Sequence, residues 1–132
     1  MARIFLDANI LIDLIEKRGE IITARGLTDN EIFISPLSIH ILIYITRQKI
    51  PPKRLIQIIE LFSLVSFDQS ISTKSLQGPT RDFEDNVQLH SATESECDFF
   101  LTQDKNLLNL KFFGKTQLVN SLKSSKTSIP LR

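Results

Sequence analysis

The fold is decided by the stretch Ile4–Asp13, which reads I-F-L-D-A-N-I-L-I-D. Its first three residues are apolar and favour a β-strand, and Asp7 follows them directly. After Asp7, apolar residues recur at the three- and four-residue spacing of a helix. The stretch therefore predicts a short strand, a carboxylate at its C-terminal end, and then a helix.

Asp7 allows two interpretations at this point. Asp is a favoured helix N-cap, because its carboxylate accepts a hydrogen bond from a free N–H at the start of the helix. Asn9 adds little by itself, since Asn is also common in caps and turns. However, ligands of open α/β sheets bind at the C-terminal ends of the strands. The same carboxylate can therefore be the first ligand of a metal site, and only acids elsewhere in the chain can decide.

The composition is that of one globular domain. Of the 132 residues, 42% are hydrophobic and 23% are charged, which is ordinary for a chain that buries a core. With 4 glycines and 5 prolines, the chain contains no linker. We predict a single domain over residues 1–120 and a polar, flexible C-terminal tail over residues 121–132.

Neither a disulfide nor a membrane segment is expected. Cys97 is the one cysteine, so it fits a reducing compartment, and its apolar neighbours favour a buried structural thiol over a nucleophile. The apolar stretch at residues 32–45 is shorter than the roughly 20 residues that span a bilayer. The N-terminus also lacks the hydrophobic segment of a signal peptide, so the predicted location is the cytoplasm, without membrane association.

Charge is unevenly distributed along the chain. Residues 82–104 contain seven acids and no Lys or Arg, whereas the residues after Asp104 contain six basic residues and no acid. This distribution suits a protein that holds cations and meets a polyanion. A solvated surface followed by a loose tail explains the same counts, so charge alone does not decide the function.

The apolar pattern predicts alternating strands and helices. Strands are expected at residues 4–6, 31–34, 64–67, 99–101 and 117–119, and helices at about residues 8–17, 20–25, 36–47, 53–62, 81–96 and 105–110. Ser35 and Pro36 have the residue types of an N-cap and a first helical position, and Thr80 is a candidate cap for the acidic helix. Residues 70–76 are weakly patterned. The alternation predicts an α/β fold with three α/β/α layers and a short, mainly parallel central sheet.

Three acids are expected to converge on one edge of that sheet. Asp7 and Asp104 each follow a strand directly, and Asp85 lies near the start of the helix that leads to the fourth strand. Three neighbouring carboxylates repel one another unless a cation lies between them. Hard divalent ions such as Mg²⁺ prefer carboxylate oxygens. The sequence therefore predicts a metal site formed by Asp7, Asp85 and Asp104.

Three segments, in order along the chain, resemble PIN-domain proteins. F-L-D-A-N-I-L-I-D-L-I resembles their opening strand and helix, and I-S-P-L-S-I-H-I resembles their second strand and the helix after it. The segment D-F-E-D-N-V-Q-L-H-S-A-T-E-S-E-C-D-F-F-L-T-Q-D resembles their acidic helix and closing strand, which ends in Thr-x-Asp. A small single-domain chain of this kind is similar to the VapC-type toxins of bacterial toxin–antitoxin pairs.

The resemblance implies a metal-dependent endoribonuclease. Asp7, Asp85 and Asp104 would be the catalytic residues and would hold one or two Mg²⁺ or Mn²⁺ ions, which activate water for attack on an RNA phosphodiester. Asn9 and Thr102 would orient the carboxylates or bind phosphate. The resemblance also implies three partners: an RNA substrate, an antitoxin protein that plugs the site, and a second copy in a homodimer. The helices at residues 37–45 and 55–62 are apolar enough to leave an interface patch, although burial in the domain's own core explains the same residues.

One expected acid is missing. The family places a Glu in the helix after the second strand, and that position falls here on His40 or Ile41. His40 is either an auxiliary ligand, better suited to Mn²⁺ or Zn²⁺ than to Mg²⁺, or a hydrogen-bonded core residue. Asp82 is either an auxiliary ligand or an exposed acid favoured by the helix dipole. The missing Glu supports an alternative function, a catalytically weakened PIN-like domain that binds RNA or a partner protein without cleavage.

Overall fold

A computed structural model describes residues 1–16 and 24–122, with backbone alone at residues 24 and 25. The strands in this part of the chain are β1 (Arg3–Leu6), β2 (Glu31–Ile34), β3 (Ser63–Leu64), β4 (Phe99–Leu101), β5 (Phe112–Phe113) and β6 (Thr116–Val119). They form one sheet in the order β3-β2-β1-β4-β6-β5. Every neighbouring pair is parallel except β5 and β6, which are antiparallel. The predicted α/β class with a mainly parallel sheet is confirmed.

Helices cover both faces of the sheet. They are α1 (Ala8–Glu16), α2 (Ala24–Asp29), α3 (Pro36–Thr46), α4 (Lys53–Ile59), α5 (Gln69–Gln77), α6 (Phe83–Glu94) and α7 (Lys105–Leu108). Side chains of a strand alternate between faces, so Ile4 and Leu6 join a core with α1, α3 and α4, whereas Phe5 joins a second core with α5, α6 and α7. A parallel sheet buried on both faces needs strands that are apolar throughout. The three-layer arrangement follows from these two cores.

Several predicted elements lie where the sequence placed them. The strand at residues 31–34 and the strand at residues 99–101 have the predicted bounds. Pro36 is the first residue of α3, and the Ser35 side chain accepts a hydrogen bond from the Leu37 N–H at 3.1 Å. Cys97 is 2% exposed, and burial raises the pKa of its thiol to about 12, as expected of a structural cysteine.

Other predicted elements were wrong in their bounds or their caps. The helix predicted at residues 53–62 ends at Ile59, and the strand predicted at residues 64–67 is two residues long. The cap of α6 is Asp82 rather than Thr80, whose hydroxyl accepts a hydrogen bond from the Asp82 N–H at 3.1 Å. Both α5 and β5 were missed. Of the short helix predicted at residues 20–25, residues 20–23 lie outside the described residues, and α2 continues past Gly26, where that helix was expected to end.

The α3–α4 region both enters the core and leaves apolar surface. Leu42 and Leu55 are fully buried. By contrast, large apolar side chains remain exposed over this region, with Tyr44 at 78%, Ile50 at 76% and Leu61 at 70%. Burial in the domain's own core is therefore confirmed for part of these residues, and the interface patch stays a prediction for the exposed ones. The predicted tail lies outside the described residues from residue 123 onward.

Within residues 1–16 and 24–122, no helix combines the length and the apolar character needed to cross a membrane.

Candidate acidic site at the sheet edge

Asp7 is held in place by the backbone on both sides of it. Its N–H donates to the Leu101 carbonyl at 3.0 Å, and its carbonyl accepts from the Leu11 N–H at 3.1 Å, in the first turn of α1. Asp7 is 3% exposed, and the backbone N–H groups of Ala8 and Asn9 near its carboxyl lower the pKa of that carboxyl. Asp7 therefore lies at the N-cap position of α1, directly after β1, and the Asn9 side chain beside it is exposed.

The Thr102 hydroxyl joins Asp7 to Asp104. Thr102 is fully buried at the end of β4, where its N–H donates to the Val119 carbonyl. Its Oγ1 donates to Asp7 Oδ2 at 2.6 Å and accepts from the Asp104 N–H at 3.0 Å. A single hydroxyl thus uses both its donor and its acceptor capacity between two acids that are 97 positions apart in sequence.

Burial controls the ionisation of Asp7. Desolvation raises the pKa of its carboxyl above the ordinary 3.8, and the charge of Asp104 raises this pKa further. The hydrogen bonds from Thr102, Asn9 and Ala8 act in the opposite direction, because they favour the ionised form. The net effect raises the pKa of Asp7, so the fold holds this carboxyl where a negative charge is costly.

Asp85 shares this environment from the first turn of α6. It is half-buried, and burial raises the pKa of its carboxyl from 3.8 to about 7. The neighbouring charges of Asp82, Asp7 and Asp104 raise this pKa as well. Asp85 therefore lies near enough to Asp7 and Asp104 for their charges to affect its ionisation, while its role as a metal ligand stays a prediction.

Two of the acids also serve as helix caps. Asp104 Oδ1 accepts from the Asn106 N–H at 2.8 Å at the start of α7. Asp82 is exposed, and its Oδ1 accepts from the Asp85 N–H at 2.9 Å at the start of α6. An acid at a helix N-terminus is stabilised by the free N–H groups there. In each of these two caps, one carboxylate oxygen, Oδ1, accepts the hydrogen bond.

The chemistry of these groups fits a hard divalent cation. No Lys or Arg in residues 1–16 and 26–122 forms an ion pair with Asp7, Asp85 or Asp104. In the same part of the chain, no three acid, His or Cys side chains lie close enough together to hold one metal ion. Mg²⁺ is ordinarily bound by one or two carboxylates, with water filling its other positions. The donor set therefore suits one or two ions that each take one or two of these carboxylates and fill their other positions with water.

Helix α3 contributes no acid to this site. His40 is exposed, with its ring centroid 6.5 Å from that of Tyr44, so its interpretation as a core residue was wrong. Ile41 is partly buried and packs against the core of the α1 face. The residue of α3 that turns towards α6 is Ser38, which is fully buried.

The sequence did not single out Gln88, although it is central to this region. Gln88 is 2% exposed, and its Oε1 accepts from the Ala8 N–H at 2.7 Å and from Ser38 Oγ at 3.5 Å. One signal was present in the sequence, since Gln88 follows Asp85 by three residues and therefore lies one helical turn along the same face. Its partner on α1 is a backbone group, which carries no mark in the sequence.

Comparison with known proteins gives one family and a set of similar folds. A family model described as a PIN domain matches residues 3–106. A chain in the crystal structure of VapBC2 from Rickettsia felis, bound to a DNA fragment from their promoter, has a TM-score of 0.64 at 13% identity, covering 90% of this chain and 98% of that one. A chain of DNA-bound VapBC from Salmonella typhimurium has a TM-score of 0.59 at 18% identity, covering 91% and 98%. No curated protein matches the sequence. At these identities the structures show a shared fold, and the family model spans most of the sequence, so the chain belongs to the PIN-domain family.

Proposed function

We propose that this protein is a metal-dependent endoribonuclease that hydrolyses RNA phosphodiester bonds, and that it is the toxin of a toxin–antitoxin pair. The observation that carries the proposal is the Thr102 hydroxyl that joins Asp7 to Asp104 at the C-terminal edge of the sheet, with Asp85 near enough for their charges to raise its pKa, in a PIN-domain chain. Acids held close together against their mutual repulsion are typical of a site that a cation completes.

Asp7 and Asp85 are the proposed carboxylates for Mg²⁺ or Mn²⁺, with Asp104 as the third metal-site acid. When bound, such an ion supplies positive charge beside the scissile phosphate and makes water a better nucleophile. The chain's own contribution is orientation. Thr102 donates to one oxygen of Asp7 at 2.6 Å, and the exposed Asn9 side chain at the start of α1 is the proposed phosphate-binding group.

Protein partners form part of the proposal. The similar folds come from VapBC complexes, which supports an antitoxin as one partner. The exposed apolar side chains of the α3–α4 region, Tyr44 and Leu61 among them, support a homodimer. The substrate proposal, RNA, rests on membership of the family.

The alternative is a PIN domain that binds RNA or a partner protein without cleavage. It is favoured by α3, whose residues Pro36–Thr46 include no acid, while His40 is exposed and Ile41 packs in the core. Fewer carboxylates give weaker metal binding. The two functions make the same prediction for the fold and opposite predictions for RNA cleavage.

RNA cleavage with Mn²⁺ or Mg²⁺ tests the proposal, using the wild-type protein, Asp7→Asn and Asp85→Asn. Each variant should lose about 100-fold or more in rate, since even residues that only support metal ligands contribute about 10- to 100-fold. Asp68→Asn is the matched control: Asp68 is an exposed cap of α5, and its charge does not contribute to the raised pKa of Asp7 or Asp85.

Two other outcomes would contradict the nuclease proposal. If the wild type and both site variants cleave RNA equally, the activity comes from elsewhere. If the wild type binds RNA without cutting it, and calorimetry detects no Mn²⁺ binding at millimolar concentration, the non-catalytic alternative is correct.

A further inference from the structure

Gln88 connects three helices around the acidic site. It lies on α6 one turn after Asp85, and its Oε1 accepts the Ala8 N–H of α1 at 2.7 Å. The same oxygen accepts a longer hydrogen bond, 3.5 Å, from Ser38 Oγ of α3. Ala8 is the residue directly after Asp7. The amide of Gln88 therefore spans the gap between the helix that carries Asp85 and the turn that carries Asp7.

The Ala8 N–H needs an acceptor at position 88, and a neutral acceptor there adds no negative charge to the acidic site. The Ala8 N–H lies in the first turn of α1, where backbone donors have no partner within the helix. Gln88 and Ser38 are both almost fully buried, at 2% and 0% exposure, so an apolar side chain at position 88 would leave a buried N–H without an acceptor. A carboxylate there would accept the bond but would add a fourth negative charge beside Asp7 and Asp85.

We propose that Gln88 is a positioning residue of the metal site: by binding the Ala8 N–H, it sets the separation and relative orientation of Asp7 and Asp85. The proposal rests on the proposed metal-dependent function and assigns that site a residue outside its acids. Its action is indirect, because it touches the backbone next to one ligand and lies on the helix of the other. The residue is thus distinct from Thr102, which contacts a carboxylate directly.

The test compares Gln88→Met, which removes the acceptor at similar length, with Gln88→Glu, which keeps an acceptor oxygen. Thr116→Val is the matched control, because the buried Thr116 hydroxyl donates to the Cys97 carbonyl at 2.8 Å at the opposite end of β4 and β6. The readouts are hydrogen exchange of the Ala8 amide in the metal-free protein, the Kd for Mn²⁺ by calorimetry, and thermal unfolding.

Gln88→Met should speed exchange of the Ala8 amide at least about tenfold and weaken Mn²⁺ binding by about tenfold, the lower end of the range for residues that support metal ligands. Gln88→Glu should keep the Ala8 amide protected. Thr116→Val should lower the unfolding temperature but leave the Mn²⁺ Kd within about twofold, because its hydrogen bond lies away from the site. If Gln88→Met does not fold, Gln88→Asn replaces it, since its amide is one methylene shorter and falls short of Ala8.

The inference is overturned if Gln88→Met, or Gln88→Asn in its place, binds Mn²⁺ as the wild type does, or if Thr116→Val weakens binding equally. That failure is distinguishable from failure of the proposed function. If only the positioning role fails, the wild type still binds Mn²⁺ and Asp7→Asn does not. If the proposed function fails, neither protein binds Mn²⁺, and the positioning role is rejected together with the metal site.

Discussion

Replacement of Thr102 by Val removes the hydroxyl that joins Asp7 to Asp104 and keeps every acid of the site. The Thr102 hydroxyl donates to Asp7 Oδ2 at 2.6 Å and accepts from the Asp104 N–H at 3.0 Å, and Thr102 itself is 0% exposed. Val has nearly the same shape but neither capacity. Thr102→Val therefore leaves a buried carboxylate oxygen and a backbone N–H without their partner.

The size of the effect follows from these two losses. A hydrogen bond to a charged group contributes about 1.5–3 kcal/mol, and a buried group left unpaired costs about 1–3 kcal/mol. Since the two estimates describe overlapping losses, we expect a decrease of about 2–3 kcal/mol in the free energy of unfolding of the metal-free protein. For a chain of this length, that corresponds to a decrease in Tm of about 10 °C.

The decrease should depend on pH in a definite direction. The Thr102 hydrogen bond lowers the pKa of Asp7, so it stabilises the ionised form. Its contribution is therefore largest above the folded-state pKa of Asp7, which burial raises above 3.8. As pH falls through that value, Asp7 is protonated and the hydrogen bond becomes a neutral one of about 1 kcal/mol. The difference between wild type and Thr102→Val should grow between pH 4 and pH 9.

Urea denaturation over that pH range provides the measurement, with Thr102→Ser as the control. Ser keeps the hydroxyl and loses one methyl group, which costs about 1 kcal/mol independently of pH. If Thr102→Val and Thr102→Ser lose the same stability at every pH, the hydroxyl does not support Asp7, and the argument for the site's orientation is refuted.

Three further substitutions test other parts of the structure. Asp85→Asn should stabilise the metal-free protein above pH 7 and have no effect near pH 4, because a pKa raised from 3.8 to about 7 makes ionisation of Asp85 in the folded state costly. The rise in pKa corresponds to about 4 kcal/mol. Solvent screening of this half-buried group reduces the expected gain in the free energy of unfolding to about 1–2 kcal/mol, which urea denaturation measures. Asn86→Ala should cost about 2–4 kcal/mol, since this buried amide binds Thr80 and the Ser75 carbonyl, and a loss below 1 kcal/mol would contradict that assignment. Tyr44→Ser should lower the dimer fraction in light scattering while changing stability by about 0.5 kcal/mol or less; an unchanged dimer would exclude this surface.

The sequence predicted best the strands that are buried on both faces of the sheet, because such burial requires a continuous run of apolar residues. In β2 and β4, runs of apolar residues bounded by polar ones correspond directly to strands between two helical layers. By contrast, α5 buries only Ile71 and Ser75, so its apolar period is almost absent, and its cap, Asp68, is a single polar residue. The two-residue strand β5 is formed by its antiparallel pairing with β6 and has no pattern of its own.

The same distinction applies to the site. Asp7 and Asp104 could be placed together because each directly follows a strand, and parallel strands bring those ends to one edge. Gln88 could not be identified in this way. Its main partner is the Ala8 N–H, 80 residues away, and every residue other than proline has such a donor. The sequence therefore predicts where charges converge, but not which neutral groups hold them in position.

The neutral groups determine how much negative charge the empty fold can tolerate. Burial and mutual repulsion already raise the pKa of Asp7 and of Asp85. For Asp7, the opposing contributions come from the Thr102 hydroxyl and from the backbone N–H groups of Asn9 and Ala8 at the start of α1. On the side of α3, the buried polar groups are Ser38 and Gln88, which add no charge. A carboxylate there would bind a cation more tightly but would destabilise the metal-free protein further. If these acids bind a divalent ion as proposed, the neutral groups on the α3 side should therefore make that binding weaker and the metal-free protein more stable than a carboxylate there would.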